Sequence, residues 1–180
     1  MRLSKEQLNV MEEIKQNPNA IQYLDEQTEE LCLAAVSKDG MALGWVKDKT
    51  PKICLAAVRQ EPLALRFVEN QTHEMCLEAV SNNPCALVWV KEQTLDLCLL
   101  AVRQHGLTLQ YVKEQTPELC LEAVRENGMA LARVKYQTPE ICYEAVKNDA
   151  DSFIYVKEQT PEICMVAYEQ NPKVSEYFNL

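Results

Sequence analysis

The sequence is poor in glycine, in histidine and in long apolar runs. Only four of its 180 residues are glycine and two are histidine. We find no glycine-rich phosphate loop, no nucleophile beside a base and no carboxylate pair outside the repeat pattern described below. Apolar residues never form the run of about 18 that a membrane-spanning helix needs, and the charged amino-terminal segment lacks a signal-peptide core. The sequence therefore predicts a protein that is not an enzyme, that binds no cofactor and that does not enter a membrane.

Positive charge is also scarce. The chain has 18 basic and 27 acidic side chains, a net charge of −9. Such a charge opposes binding to the phosphates of nucleic acids and to anionic membranes. We therefore expect a basic or neutral protein partner and no direct nucleic-acid binding. The expected location is the cytoplasm, or a host cell if the protein is exported or phage-encoded.

What the sequence contains instead is a 22-residue repeat. A threonine followed four residues later by a cysteine recurs seven times without an insertion, and a degenerate capping repeat at about residues 6–27 precedes the first copy. The repeats start at Thr28, Thr50, Thr72, Thr94, Thr116, Thr138 and Thr160. A period of this length is typical of solenoids, whose repeats bury their apolar faces against one another. We therefore predict an all-α fold, an α-solenoid of about eight helix-turn-helix repeats in a single elongated domain.

Each repeat carries two helix signals. The sequence Thr-Pro-Glu, as at Thr116, favours a helix start, because the hydroxyl caps a backbone amide and proline suits the first turn. A break such as Asn127-Gly128 then ends the first helix. The first helix is apolar at nearly every position, including Leu121, so we predict that it is buried on two sides. The second helix has a narrower apolar stripe, which predicts an outer, half-exposed helix.

The segments VKEQTPELCLEAV and VKEQTPEIC resemble the repeat family catalogued as domain of unknown function 4116. The resemblance covers nearly the whole chain. It implies tandem helical repeats of the kind present in bacterial, protist and viral proteins, and it implies no activity.

Seven of the eight cysteines occupy one repeat position. No Cys-x-x-Cys pair exists, and His73 and His105 occupy different repeat positions, so the ligand spacing of a zinc site is missing. We therefore predict no metal site. A small, reduced and buried cysteine that allows close helix packing explains the pattern.

An aromatic column recurs in the predicted second helix. Its members are Tyr23, Trp45, Phe67, Trp89, Tyr111, Tyr155 and Tyr177, with Arg133 as the one interruption. The first interpretation is that the rings pack between repeats. The alternative is a strip that binds a partner, because tryptophan and tyrosine are frequent interface anchors.

Further candidates come from the outer face and from the charged rows. Three apolar residues in variable columns are expected to be exposed and could mark an interface: Val88, Leu100 and Ile154. Three acidic residues near first-helix starts are also candidates for partner binding: Glu118, Glu140 and Glu162. Acidic neighbours accompany most of a row of lysines, which argues against a phosphate-binding surface. The apolar residues Tyr177, Phe178 and Leu180 could mediate end-to-end self-association.

Together these features predict a macromolecule-binding scaffold that holds a protein partner on an extended helical-repeat surface. The alternative is a small acidic inhibitor or effector, viral or bacterial, that blocks the nucleic-acid groove of a basic host or defence enzyme. A steep loss of binding with added salt would favour this alternative.

Overall fold

A computed structural model describes the backbone of residues 5–178 and the side chains of residues 8–178. Each repeat consists of one α-helix and one six-residue 3-10 helix. The α-helices are α1 (Lys5–Gln16), α2 (Glu29–Lys38), α3 (Pro51–Gln60), α4 (His73–Asn82), α5 (Leu95–Gln104), α6 (Pro117–Glu126), α7 (Pro139–Asn148) and α8 (Pro161–Gln170). The 3-10 helices are η1 (Pro18–Tyr23), η2 (Gly40–Trp45), η3 (Pro62–Phe67), η4 (Pro84–Trp89), η5 (Gly106–Tyr111), η6 (Gly128–Arg133), η7 (Ala150–Tyr155) and η8 (Pro172–Tyr177). The prediction of an all-α repeat solenoid is confirmed.

The second helix of each repeat is tighter than a helix-turn-helix pattern suggests. In η6 it spans six residues and is followed by Val134, whose backbone is extended, with ψ of 120°. Val134 N donates to the Leu131 carbonyl at 3.1 Å, an i to i−3 bond that closes the end of the helix. Six residues complete two turns of a 3-10 helix but fewer than two turns of an α-helix. Only six residues lie between Asn127 and the extended Val134, and this short segment favours a 3-10 helix over an α-helix.

The repeats form two compact units, residues 1–91 and residues 92–180. Within each unit, consecutive α-helices pack side by side, consecutive 3-10 helices do the same, and the two layers pack against each other. The expectation of one elongated domain stays a prediction. Over residues 5–178, every helix is too short or too polar to traverse a lipid bilayer.

Threonine caps begin most of the α-helices. Thr116 Oγ1 accepts a hydrogen bond from Leu119 N at 3.3 Å, and Pro117 occupies the first turn. The same threonine bond begins the helices after Thr28, Thr50, Thr72, Thr138 and Thr160. Thr94 does not make it. The predicted cap is therefore present in six of the seven threonine repeats.

The first helix has one buried face, which corrects the prediction that it is buried on two sides. Leu119, Ala123 and Val124 are buried, whereas Leu121 is half-buried. At 100° per residue, Leu121 lies on the side of α6 that turns away from the core. Leu77, at the same repeat position of α4, is 42% exposed. The α-layer therefore has a solvent-facing surface of its own.

Glycine at the break allows successive repeats to approach closely. A Cβ on Gly128 would lie 2.5 Å from the carbonyl oxygen of Ala145 in the next repeat. None of the glycines has a positive φ, so close contact rather than backbone conformation favours glycine at Gly128.

Candidate functional site

A row of glutamine side chains joins successive repeats, and sequence analysis missed it. Gln115 Nε2 donates to the carbonyl oxygen of Arg133 at 2.9 Å, and Lys135 N donates to Gln115 Oε1 at 2.9 Å. Four further glutamines make the same pair of bonds to the next repeat: Gln27, Gln71, Gln93 and Gln137. Lys49 stands at this position in one repeat, where its Nζ donates to the Val46 carbonyl at 2.7 Å. The visible signal was a glutamine immediately before each threonine except Thr50.

The cysteine column lies behind this glutamine row. The Sγ of Cys120 donates to Gln115 Oε1 at 3.8 Å, and that of Cys142 donates to Gln137 Oε1 at 3.4 Å. All seven column cysteines are buried, and Cys85, outside the column, is half-buried. Burial raises the pKa of five of these thiols: Cys32, Cys54, Cys98, Cys120 and Cys142. The predicted burial of the cysteine column is therefore confirmed. A buried thiol with a raised pKa is a weak hydrogen-bond donor and a poor nucleophile.

Ligand clusters and clefts can be compared with the rows of the repeat. Within the part of the chain that is described, no three histidine, cysteine or acidic side chains come together as metal ligands. Open clefts lie between successive loops, and one of about 330 Å³ is lined by Gln93, Cys98, Lys113 and Glu114 among others. Gln93, Cys98 and Lys113 belong to the glutamine, cysteine and lysine rows, so this cleft lies where the contacts of these rows join successive repeats.

The lysine row also joins repeats. Lys135 Nζ donates to the Lys113 carbonyl at 3.0 Å, and Lys47 Nζ donates to the carbonyl oxygens of Leu24 and Asp25 at 3.0 and 2.9 Å. These ammonium groups bind backbone carbonyls that follow a 3-10 helix. The arrangement accounts for the recurrence of lysine without a phosphate-binding role.

One variable column follows the junction between successive α-helices. Its members are Ala34, Ala56, Glu78, Leu100, Glu122, Glu144 and Val166. Arg103 Nε lies 2.6 Å from a Glu122 carboxylate oxygen, and Arg125 Nε lies 3.3 Å from that of Glu144. Leu100 belongs to the same column and is half-buried. The prediction that Leu100 is exposed is therefore wrong, because its column faces the junction rather than open solvent. The glutamates of this column are likewise explained by pairing between repeats.

The aromatic column behaves differently, because several of its rings are exposed. In the first unit Trp45 is 51% exposed, Trp89 is 42% exposed and Tyr23 is 79% exposed. Phe67 is half-buried, and its ring covers Gly44 of the preceding repeat, where a Cβ would lie 3.1 Å from the ring. The packing interpretation therefore describes Phe67, but it leaves half of each indole in solvent.

These rings belong to a surface that is almost uncharged. The 3-10 helices of the first unit read PNAIQY, GMALGW, PLALRF and PCALVW, with Arg66 as the one charged residue, although 25% of the chain is charged. Val88 is exposed beside Trp89, as predicted. We define the aromatic face as Tyr23, Trp45, Phe67, Val88 and Trp89. Exposed apolar residues concentrated in this way are typical of an interaction surface.

An acidic edge borders the aromatic face. The three loops that follow η1, η2 and η3, residues 24–28, 46–50 and 68–72, hold four acidic and two basic side chains. We define the acidic edge by the exposed carboxylates that follow the rings most closely: Asp25, Glu26, Asp48 and Glu69. In the part of the chain whose side chains are described, none of these four forms an ion pair.

In the second unit the corresponding surface is of mixed character. Tyr111 is half-buried and Arg133 interrupts the column, whereas Tyr155 and Ile154 are exposed. Its 3-10 helices also carry charged side chains: Arg133, Asp151, Lys173 and Glu176. Glu118, Glu140 and Glu162 are exposed on the α-layer, apart from these rings. The candidate residues of the second unit therefore lie on two surfaces.

Residues near the carboxyl terminus are divided in the same way. Tyr177 is exposed, whereas Phe178 is half-buried with its ring centroid 5.2 Å from that of Phe153. Leu180 lies outside the described residues. Self-association through these three residues stays a prediction.

No match to the chain was found among protein-family models, curated proteins or solved structures. The resemblance to the repeat family of domain of unknown function 4116 therefore stays a prediction.

Proposed function

We propose that the protein is a macromolecule-binding scaffold that holds a protein partner against the aromatic face of the first unit. The observation that carries this proposal is the exposure of Trp45 and Trp89 on a surface with one charged residue. Covering about 100 Å² of each indole would contribute about 2–3 kcal/mol. Two such anchors together support a specific contact.

The rest of the surface supports this choice of site. The lysine row and the glutamates of the variable column are occupied in joining repeats, as shown by Lys135 and by the Arg103–Glu122 pair. The rings of the aromatic face are less involved in joining repeats. The Phe67 ring packs over Gly44 of the preceding repeat, whereas Trp45 and Trp89 stay about half exposed. Surplus exposed aromatic area is a feature of interface hot spots.

The test compares what the wild-type protein captures from cells of its source with what two variants capture. Trp45→Ala/Trp89→Ala removes both anchors, whereas Leu77→Ala removes an equally exposed apolar side chain from the α-layer. We expect quantitative mass spectrometry to show a partner that the double variant loses at least about tenfold and that Leu77→Ala retains. Equal capture by all three proteins, or turnover of a small substrate by the purified protein, would contradict the proposal.

The acidic inhibitor or effector is the second candidate, and the second unit favours it. Residues 92–180 contain 14 acidic and 8 basic side chains, and Glu118, Glu140 and Glu162 are exposed on one layer. A basic groove would complement this charge. Binding to such an enzyme should weaken steeply with added salt, whereas binding through the tryptophans should change little.

A cytoplasmic location is part of both proposals. It is supported by the column of buried thiols, which a reducing compartment preserves.

A further inference from the structure

We infer that the partner segment held by the aromatic face is rich in arginine, with guanidinium groups stacked on Trp45 and Trp89. This inference rests on the proposed function and specifies the chemistry of its partner.

The chain itself shows how a guanidinium lies on this surface. The Arg66 guanidinium carbon lies 4.4 Å from the centroid of the Phe67 ring, within the range of a cation–π contact. Phe67 lies on η3, which packs between η2 and η4. Trp45 and Trp89 end those two neighbouring helices, and both indoles are exposed. Tryptophan is the best cation–π acceptor among the side chains, so the two open rings suit an arginine better than the ring already covered.

The acidic edge supplies the second half of the recognition. Asp48 and Glu69 follow Trp45 and Phe67 in the chain by three and two residues, and both are exposed. The two basic residues of the same loops, Lys47 and Lys49, donate to the carbonyl oxygens of Leu24 and Val46. Lys91 Nζ likewise donates to the Glu69 carbonyl oxygen at 2.6 Å. Four carboxylates and two lysines leave these loops with a net charge of −2, which favours a cationic segment over an acidic or uncharged one.

Arginine fits this combination better than lysine. Its planar guanidinium stacks flat on an aromatic ring and also donates two parallel hydrogen bonds to a carboxylate, whereas a lysine ammonium is compact and strongly hydrated. A second copy of the chain is a poor occupant, because a net charge of −9 makes two copies repel each other.

The spacing of the rings limits the ligand. Trp45 and Trp89 are two repeats apart, which places them about 20 Å from each other at about 10 Å per packed helix. An extended chain advances about 3.3 Å per residue. Arginines about six residues apart would therefore reach both rings.

The experiment uses full-length protein and a glycine-serine peptide with pairs of arginines at that spacing. Matched peptides carry lysine or glutamate in place of arginine, and tryptophan fluorescence and calorimetry measure each dissociation constant at low and at physiological ionic strength. We expect the arginine peptide to bind at least about fivefold more tightly than the lysine peptide, and the glutamate peptide not to bind. Trp45→Ala/Trp89→Ala, followed by calorimetry, should weaken binding at least about tenfold, and Leu77→Ala should leave it unchanged.

Two milder variants test the same idea without removing an indole. Arg66→Ser opens the Phe67 ring and removes the competing charge, so it should tighten binding about twofold to threefold. Asp48→Asn/Glu69→Gln should weaken it about threefold to fivefold. Equal binding of the arginine and lysine peptides, or arginine binding that ignores both tryptophans and both carboxylates, would overturn the inference. If cellular capture still depended on the tryptophans in that case, the proposed function would stand and only the partner chemistry would be wrong.

Discussion

Replacing Lys49 with glutamine should stabilise the first unit, because it would complete the glutamine row at the one repeat where lysine interrupts it. Lysine has no acceptor, so it cannot receive a hydrogen bond from the backbone N–H of Glu69, two residues after Phe67. At the equivalent place of an intact repeat, Gln115 accepts from Lys135 N and donates to Arg133 O, both at 2.9 Å.

The size of the effect follows from the bonds gained and lost. In Lys49→Gln, the new amide oxygen accepts a hydrogen bond from Glu69 N, and the new amide nitrogen donates one to the Phe67 carbonyl. The variant loses the 2.7 Å bond from Lys49 Nζ to Val46 O. At about 0.5–1.5 kcal/mol for each net bond, we expect a gain of about 1 kcal/mol. Gln115→Ala loses two bonds to the next repeat and a 3.3 Å bond to Leu109 O, which should cost about 1–3 kcal/mol.

Urea denaturation separates the two variants. Both tryptophans lie in the first unit, so their fluorescence follows Lys49→Gln, while circular dichroism follows Gln115→Ala. Gln110→Ala, at an exposed position of η5, is the matched control and should change stability by less than about 0.5 kcal/mol. The reasoning is refuted if Lys49→Gln lowers the midpoint, or if Gln115→Ala has no larger effect than Gln110→Ala.

Four further predictions concern the core and the thiols. Ser152 is fully buried and its hydroxyl has no hydrogen-bond partner, so Ser152→Ala should raise the free energy of unfolding by about 1 kcal/mol. Thr108→Ala loses a 2.7 Å bond to His105 O. In the same urea titration, it should therefore lower the free energy of unfolding. Leu119→Asp places an unpaired carboxylate at a site that is 2% exposed and should lower the free energy of unfolding by several kcal/mol. Leu121→Asp changes a half-buried site and should lower it much less. Equal melting temperatures of the two variants by circular dichroism would contradict this. A thiol reagent should modify the half-buried Cys85 first and all eight cysteines after denaturation. Burial raises the pKa of Cys120 and of four other column thiols, so the folded state keeps protons that the unfolded chain releases. The melting temperature should therefore fall as the pH rises above the ordinary thiol pKa of about 8.5. Cys120→Ala should reduce that slope, and a melting temperature that rises with pH would refute the reasoning.

Much of the fold was predictable because the chain repeats its signals. Thr116 and the Asn127-Gly128 break predicted where α6 begins and ends, and the structure places α6 at Pro117–Glu126. The 3-10 form of η6 was not predicted, since GMALAR contains good α-helix formers. What decides it is the extended backbone at Val134, which the cross-repeat hydrogen bond from Lys135 N to Gln115 Oε1 helps to fix. That bond joins residues 20 positions apart, and helix propensity contains no information about it.

The candidate site was predictable by residue but not by exposure. The spacing identified Trp45 and Trp89, whereas the extent of their exposure depends on what the neighbouring repeat places against each ring. Phe67 shows the dependence, because its ring covers Gly44, a residue without a side chain. Leu100 shows the opposite error, since its column faces the next α-helix and the residue is half-buried. The alignment of each repeat against the next decides the exposure of the aromatic rings and of Leu100. The sequence of a single repeat contains no information about that alignment.

Under the proposed function, the variable column of Gly44, Arg66 and Val88 is where the aromatic face would distinguish one ligand from another. Stacking fixes the glutamine, cysteine and lysine rows, as at Gln115 and Cys120, so those positions hardly change between repeats. Gly44, Arg66 and Val88 occupy one position of successive 3-10 helices, yet they differ in size and charge. Gly44 leaves room that the Phe67 ring fills, Arg66 places a cation over that ring, and Val88 is an exposed apolar residue that precedes Trp89 in the chain. Each therefore gives its neighbouring ring a different surface, so exchanging Arg66 and Val88 should alter ligand preference while leaving the stacking contacts intact.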